Sequence, residues 1–360
     1  MNLQFFALVG SRLYILLVFV FLVMQGKGQD SIATRSSSFI PIPIAYWTPE
    51  TRVAIGAALS YNFHPVTSDT ISPPSQVQAS FTVTQNRQWY AYAPFQVFLK
   101  ERKWYTYGQL GFYDFNYQFF GVNSEVESIE ERYDVDINRF RLNVLRQVQG
   151  RWYTGARVWA ENWRPHEFTL GGEFASGKVP GGLGGTTIDL GWIVFLDERD
   201  NVFYPKQGKW LELVTQHSLG DYGYSRYRLD GRVYLPFGED IVWANQAFVD
   251  VTTGDTPFYM MTQLGGSKRM RGYYEGRFRD RSGGLLQTEL RWMPLERWGF
   301  TSFASAGVVG STPQDWEGLR YAGGAGIRFV ADRQKRLNLR LDVAAGPGST
   351  QFYFTVGEAF

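Results

Sequence analysis

From about residue 39 onward the chain alternates apolar and polar side chains. Leu337, Leu339, Leu341 and Val343 take turns with Asn338, Arg340 and Asp342. Val53, Ile55, Ala57, Leu59, Tyr61 and Phe63 do so with Arg52, Ala54, Gly56, Ala58, Ser60 and Asn62. A period of two belongs to a β-strand whose faces meet different surroundings, and such segments recur between clusters of Gly, Pro, Asn and Asp. They predict strands at 39–47, 51–63, 75–86, 88–100, 103–113, 132–147, 151–163 and 186–197. Eight more follow at 208–219, 222–236, 241–252, 284–293, 299–309, 319–331, 336–345 and 350–360. An even total of about sixteen is what single-chain outer-membrane barrels use. Roughly 332 residues over sixteen strands leave about twenty-one per strand and connection, whereas a tilted strand crosses a bilayer in ~9–11. The predicted fold is all-β, a transmembrane antiparallel barrel with lipid on one face of each strand and a wet lumen on the other. Links at Arg87 and Gln88, at Glu101 and Arg102, and at Gln149 and Gly150 read as periplasmic-type turns; 116–131, 164–185 and 253–283 read as extracellular loops.

The first residues carry a different signal. Arg12 precedes an apolar run at 13–24, LYILLVFVFLVM, and small and polar residues follow. Twelve apolar residues fall short of the ~20 a spanning helix needs but suit the apolar region of an export signal. We read 1–28 as a signal peptide, with an uncleaved anchor as the alternative, 29–38 as a short segment, and 39–360 as the barrel domain. Composition narrows the function. A net charge of +2 with 19% charged and 17% aromatic residues argues against a nucleic-acid partner. The absence of cysteine excludes disulfides and thiolate chemistry.

Tryptophans add weight to a membrane barrel over a soluble sandwich or propeller. Trp47, Trp89, Trp104, Trp152, Trp159, Trp163, Trp210, Trp243, Trp292 and Trp298 lie near predicted strand ends, where interfacial girdles would place them. At the C-terminus, Phe352, Phe354 and Val356 stand at spacing two from Phe360, the pattern of a barrel-assembly signal, interrupted by Glu358.

Two segments carry a family resemblance. LDERDNVFYPKQGKWLEL at 196–213, with Asp197, Arg199, Asp200, Asn201, Pro205 and Gly208, resembles a strand-turn-strand signature of the bacterial surface antigen barrels, the superfamily of BamA, TamA and two-partner-secretion transporters. LGGSKRMRGYYEG at 264–276, with Gly265, Gly266 and the Arg271-Gly272-Tyr273 core, is similar to that superfamily's sixth extracellular loop. The resemblance implies a sixteen-stranded barrel in a Gram-negative outer membrane, with the sixth loop folded inward and its arginine paired to acidic wall residues. A guanidinium matches a carboxylate with a rigid fork, and glycine lets the backbone approach the wall. Glu289, which shares the lumen-facing register with Gln287 and Arg291, is the leading partner of Arg271. Ser305 stands where the superfamily commonly has an aspartate, two residues before Gly307, so Asp342 is the candidate second partner. A solvated loop cation is the plain alternative for Arg271.

The stretch 29–38 is too short for the superfamily's periplasmic repeat domains. Pro41 and Pro43 each remove a backbone donor from the first strand, which a fully paired strand tolerates poorly. If those donors face the last strand, the seam between 40–45 and 351–355, including Phe352 and Phe354, is weak, as a lateral gate requires; an irregular start of the first strand is the alternative. No catalysis is expected. His64, His166 and His217 lie in no hydrolase motif, and Lys178 precedes its glycines, reversing the phosphate-loop order. Glu125, Glu127, Glu130, Glu131, Asp134 and Asp136 lack the spacing of a calcium loop. No cofactor or metal is expected. The resemblance implies insertion or translocation of protein or other clients, with outer-membrane lipid, the machinery for the chain's own assembly and client or complex proteins as partners. A passive channel, surface receptor or accessory envelope subunit is the alternative.

Overall fold

The computed structural model describes residues 37–65, 72–122, 130–169 and 171–360. The signal-peptide reading at 1–28, nearly all of 29–38, Glu125 and Glu127 lie outside them. The strands are β1 (Ser38–Thr48), β2 (Arg52–Phe63), β3 (Ser75–Thr84), β4 (Trp89–Leu99), β5 (Trp104–Phe119) and β6 (Glu131–Gln149). Next come β7 (Trp152–Phe168), β8 (Gly185–Asp197), β9 (Gly208–Ser218), β10 (Tyr224–Phe237) and β11 (Ile241–Gly254). After a short ribbon of β12 (Thr262–Leu264) and β13 (Phe278–Asp280), the wall resumes with β14 (Ser282–Trp292), β15 (Trp298–Gly310), β16 (Arg320–Asp332), β17 (Leu337–Gly346) and β18 (Ser349–Val356). Sixteen of these strands close one antiparallel barrel in chain order, with β18 back beside β1.

Alternation sets the wall. Leu59, Leu341 and Leu286 face outward, and Leu59 is 47% exposed. Their neighbours Ser60, Asp342 and Gln287 are buried inside. The inversion of a soluble protein's pattern follows from lipid on the outer face and polar space within.

Several expectations need correction. Arg87 and Gln88 connect β3 to β4 at the same end as the long connections after β5, β7 and β11, because strand direction reverses at every step. Glu101, Arg102, Gln149 and Gly150 occupy the opposite, short-turn end. Trp159 and Trp163 are buried in the lumen, where both indole N–H groups donate to Glu161, and Trp210 turns inward against Arg232, so these three belong to no girdle. Trp89, Trp152, Trp243, Trp292 and Trp298 do face outward, joined by Trp192. The strand expected at 350–360 stops at Val356, where Gly357 adopts φ +82 and leads the chain into the lumen. Phe360 is therefore buried (6% exposed) against Tyr204 and Tyr234, while Phe352 and Val356 face outward; the four do not share a face.

The lumen is filled at its long-loop end. Aromatic side chains from β5–β7 meet Phe174 and Val179 of the connection after β7 and Phe258, Tyr259 and Met260 of the 255–281 loop, closing the long-loop end. Glu131 of the acidic stretch accepts the backbone N–H groups of Glu173 and Phe174, which anchors that cap. The wall assignment predicts that brominated-acyl lipids quench Trp192 strongly and Trp159 little, measured in variants retaining one of the two; equal quenching would reverse the assignment.

Candidate functional site

The 255–281 loop leaves β11, forms the β12–β13 ribbon and drives its tip into the barrel. Met270 and Tyr273 pack with Phe248, Leu264, Leu285 and Val309, an apolar patch joining loop and wall. Gly265 N–H donates to Arg269 O and Gly266 N–H to Tyr273 O, which folds the tip back on itself. Gly272 has φ +113, and a Cβ there would press on Ala345 backbone and Ala322, so a side chain would be both strained and crowded.

Arg271, only 2% exposed, lies at the centre of this packing. Its Nη2 donates to Glu289 Oε1 on β14, and its Nη1 donates to Asp342 Oδ2 on β17 at 2.5 Å. The guanidinium covers the ring of Phe303 at 3.5 Å. Gly272 N–H donates to Tyr353 Oη at 3.1 Å, Tyr353 O–H donates to Tyr273 O, and Tyr273 O–H donates to Tyr321 O. Arg271, Gly272, Tyr273, Glu289 and Asp342 are thus brought together. Ser305 faces inward but donates to Ala322 O, and the second carboxylate comes from β17 instead.

The sequence reading missed how far this network extends. Arg291 bridges Glu289 and Phe360 O; Arg328 joins Asp342 to Glu358; Arg340 reaches Asp342, Thr355 and Ser267 O. Four guanidiniums share three carboxylates, all nearly without solvent. Glu358, which interrupts the apolar terminal pattern, is one of the three anions and also accepts from Asn338. Inward charges on three separate strands were visible in the alternation, but their convergence was not.

The 196–213 signature forms a turn at the short-turn end. Asp197 and Arg199 pair side by side, Asp200 accepts two backbone N–H groups and Arg336, and Asn201 caps Phe203 and Tyr204. Pro205 is buried and Gly208 opens β9. The signature secures this turn to the one before β17 and does not touch Arg271.

The seam differs from the expected one. β1 pairs with β2 along its whole length, from Ser38↔Asn62 to Thr48↔Arg52. With β18 it is in register at Trp47↔Phe354 alone. Continuing that register places Pro41 and Pro43 beyond Val356, where β18 has ended, and Phe352 beyond the end of β1. Both prolines lie opposite β2, at Leu59 and Ala57, and meet no strand on the β18 side, so the weakness of the seam comes from the short overlap and not from missing bonds between 40–45 and 351–355.

The loop also reaches across this seam. Tyr353 on β18 holds Gly272 and Tyr273, while Glu50, in the turn between β1 and β2, accepts Glu275 N–H at 2.9 Å. Burial, then the neighbouring Glu275 carboxylate, pushes the Glu50 carboxyl up to about 7. Burial also raises Glu275, against the pull of Lys268, Arg269 and Arg279.

Removing one partner of a buried ion cluster costs about 3–5 kcal/mol because the others stay desolvated. Arg271→Ala is expected to leave the barrel folded but to speed protease clipping between Lys268 and Arg281; unchanged clipping would remove the latch role. Because the docked Glu50 carboxyl titrates above its ordinary 4.5, docking is strongest below that value and weakens as pH rises through about 7. Clipping should therefore increase from pH 5 to pH 8, and Glu50→Gln should flatten that profile.

The Omp85 superfamily domain matches residues 25–360. No curated protein sequence matches the chain. Among solved structures, BamA from Haemophilus ducreyi lacking POTRA domains 1-3 is similar with a TM-score of 0.62 and 12% identity, over 90% of this chain and 70% of that one. CdiB from Acinetobacter baumannii and CdiB from Escherichia coli each give 0.57 at 11% identity, covering 91% of this chain but 60% and 63% of theirs. At these identities the structural likeness is one of fold. With the superfamily domain matched over nearly its whole length and a closed sixteen-stranded wall, the chain belongs to the Omp85 superfamily and is an outer-membrane β-barrel of the Gram-negative type.

Proposed function

We propose that this barrel serves insertion or translocation of client proteins at the outer membrane, receiving a client strand at the β1–β18 edge. The observation that carries the reading is the single registered pair at the seam, Trp47↔Phe354, beside fully paired neighbours. Each ladder hydrogen bond contributes roughly 0.5–1.5 kcal/mol net, so a short overlap is the least costly edge to open. An incoming extended segment could pair with the exposed backbone of β1 by strand addition. The loop sets the threshold. Its contacts to Tyr353 on one side and Glu50 on the other tie the two edges, and Arg271 holds it to β14 and β17. Lipid beside the seam and a protein client are the partners this reading needs, and it involves no catalytic step. A loop packed against the wall and a capped long-loop end favour it over a passive channel.

The register selects the crosslink. Opposed antiparallel residues have Cα atoms about 4.5–5.5 Å apart, within disulfide reach. Trp47→Cys with Phe354→Cys should lock the seam, whereas positions 42 and 353 are out of register. In proteoliposomes offered an unfolded eight-stranded barrel protein, the oxidised double variant is expected to lose most insertion and the reduced one to recover it. Full insertion with the seam locked would reject the gate.

A further inference from the structure

Beneath the latch the wall is richer in cations than the latch itself requires. Glu161 on β7 serves two guanidiniums, Arg139 and Arg141 of β6, and also accepts the indole N–H groups of Trp159 and Trp163. Asp250 on β11 likewise serves Arg226 and Arg228 of β10, at 3.2 and 2.9 Å. Each of these clusters leaves one positive charge uncompensated. Arg157 with Glu212 and Arg232 with Asp230 are balanced pairs. From above, the loop adds Lys268 and Arg269, which form no ion pair among the described residues, against the single carboxylate of Glu275.

These groups surround empty space. One cavity of about 500 Å³ lies between Glu161, Asp250 and the loop residues Lys268 and Arg269. A second, of about 400 Å³, shares Arg141, Trp159 and Arg228 with it and extends to Gln76 and Tyr105, the second residues of β3 and β5 at the short-turn end. We take the two, which adjoin at these shared side chains, as one chamber, capped on the long-loop side by the aromatic cluster around Phe258. Its size is that of a small-ligand site.

Donors in the chamber are left over. Arg141 Nε, Arg157 Nη1 and Arg228 Nε are buried without a hydrogen-bond partner, and the Arg157 side chain is only 9% exposed. Arg141 sits over the ring of Trp159 at 3.3 Å and Arg269 over that of Phe248 at 3.8 Å, contacts that hold both side chains in place before binding. Lys268 is exposed to the chamber yet enclosed by the barrel. That enclosure, with Arg232, Arg340 and Arg269 nearby, lowers its ammonium below the usual lysine range. Arg269 is pushed down to about 10 by the same burial and by Arg228. An anion in the chamber would relieve both.

We propose that this chamber is a binding site for a ligand carrying two or more phosphate groups, entering from the short-turn end. Phosphate is favoured because paired arginines present parallel N–H donors that match its oxygens, and because a multiply charged group answers the several uncompensated cations at once. The ligand reaches Lys268 and Arg269, so its occupancy also holds the loop in place. The same chemistry occurs on a soluble polyphosphate and on a lipid headgroup.

The test uses the full barrel in a non-ionic detergent, titrated by calorimetry with inorganic tripolyphosphate and, separately, with dispersed short-chain cardiolipin, whose headgroup carries two phosphates. Saturable binding that weakens about tenfold or more in Lys268→Gln/Arg269→Gln, and falls with added salt, is the expected result. Arg157→Gln should weaken it as well, while Lys206→Gln, on the short turn before β9 and outside the chamber lining, should not. Because Lys268 and Arg269 have no ion-pair partners among the described residues, the double variant keeps the test valid even if Arg157→Gln fails to fold. Binding of tripolyphosphate alone identifies a soluble ligand, of cardiolipin alone a lipid headgroup, and of both the shared chemistry. No saturable binding of either, or equal binding by the double variant, overturns the proposal. Neither result touches the seam crosslink, which tests client insertion separately.

Discussion

A guanidinium with 2% exposure carries a heavy desolvation cost unless carboxylates stand beside it, and Arg271 sets what surrounds it. Desolvating each ion costs several kcal/mol, which only close, hydrogen-bonded partners repay. Glu289 and Asp342 supply those partners from strands far apart in sequence, and Phe303 covers the remaining face. Arg291, Arg328 and Arg340 then neutralise the outer oxygens of the same carboxylates. Such a cluster does little for net stability compared with apolar packing, but it admits few arrangements. The inward path of the loop, the register of β14 and β17 and the inward turn at Gly357 all satisfy it together.

The latch and the seam are mechanically one device. Tyr353 stands on the last strand and hydrogen-bonds the loop on both sides of Gly272, while Glu50 takes a loop N–H from beside the first strand. Opening the edge without disturbing the loop would break one of these contacts. Titration of Glu50 near neutrality makes that coupling sensitive to pH on the first-strand side only.

Charge is distributed unevenly around the loop. On the β14–β17 side carboxylates and guanidiniums interlock with almost no solvent; on the β6–β11 side pairs of arginines share single carboxylates around a hollow. One side is saturated and rigid, the other electrostatically incomplete. The same tip residues, from Lys268 to Arg271, face both.

Much of the fold was legible because period-two alternation is a local property: lipid and lumen impose opposite demands on neighbouring residues, so each strand announces itself. Arg271 and Glu289 were legible too, the first through its glycine-aromatic setting and the second through its register. Strand ends, the inward indoles of Trp159, Trp163 and Trp210, and the place of Phe360 were not. Each depends on a partner distant in the chain: indole N–H groups turn inward because Glu161 is there to accept them, and Phe360 turns inward because Arg291 and Glu358 find their counter-groups inside. The sequence by itself determined an all-β wall of sixteen strands, its two faces and the cationic loop. Only the tertiary structure decided how far the ion network around Arg271 extends, how little of β1 and β18 overlap and where cations remain unpaired, because those follow from closure of the barrel, which brings residues hundreds of positions apart within hydrogen-bond distance.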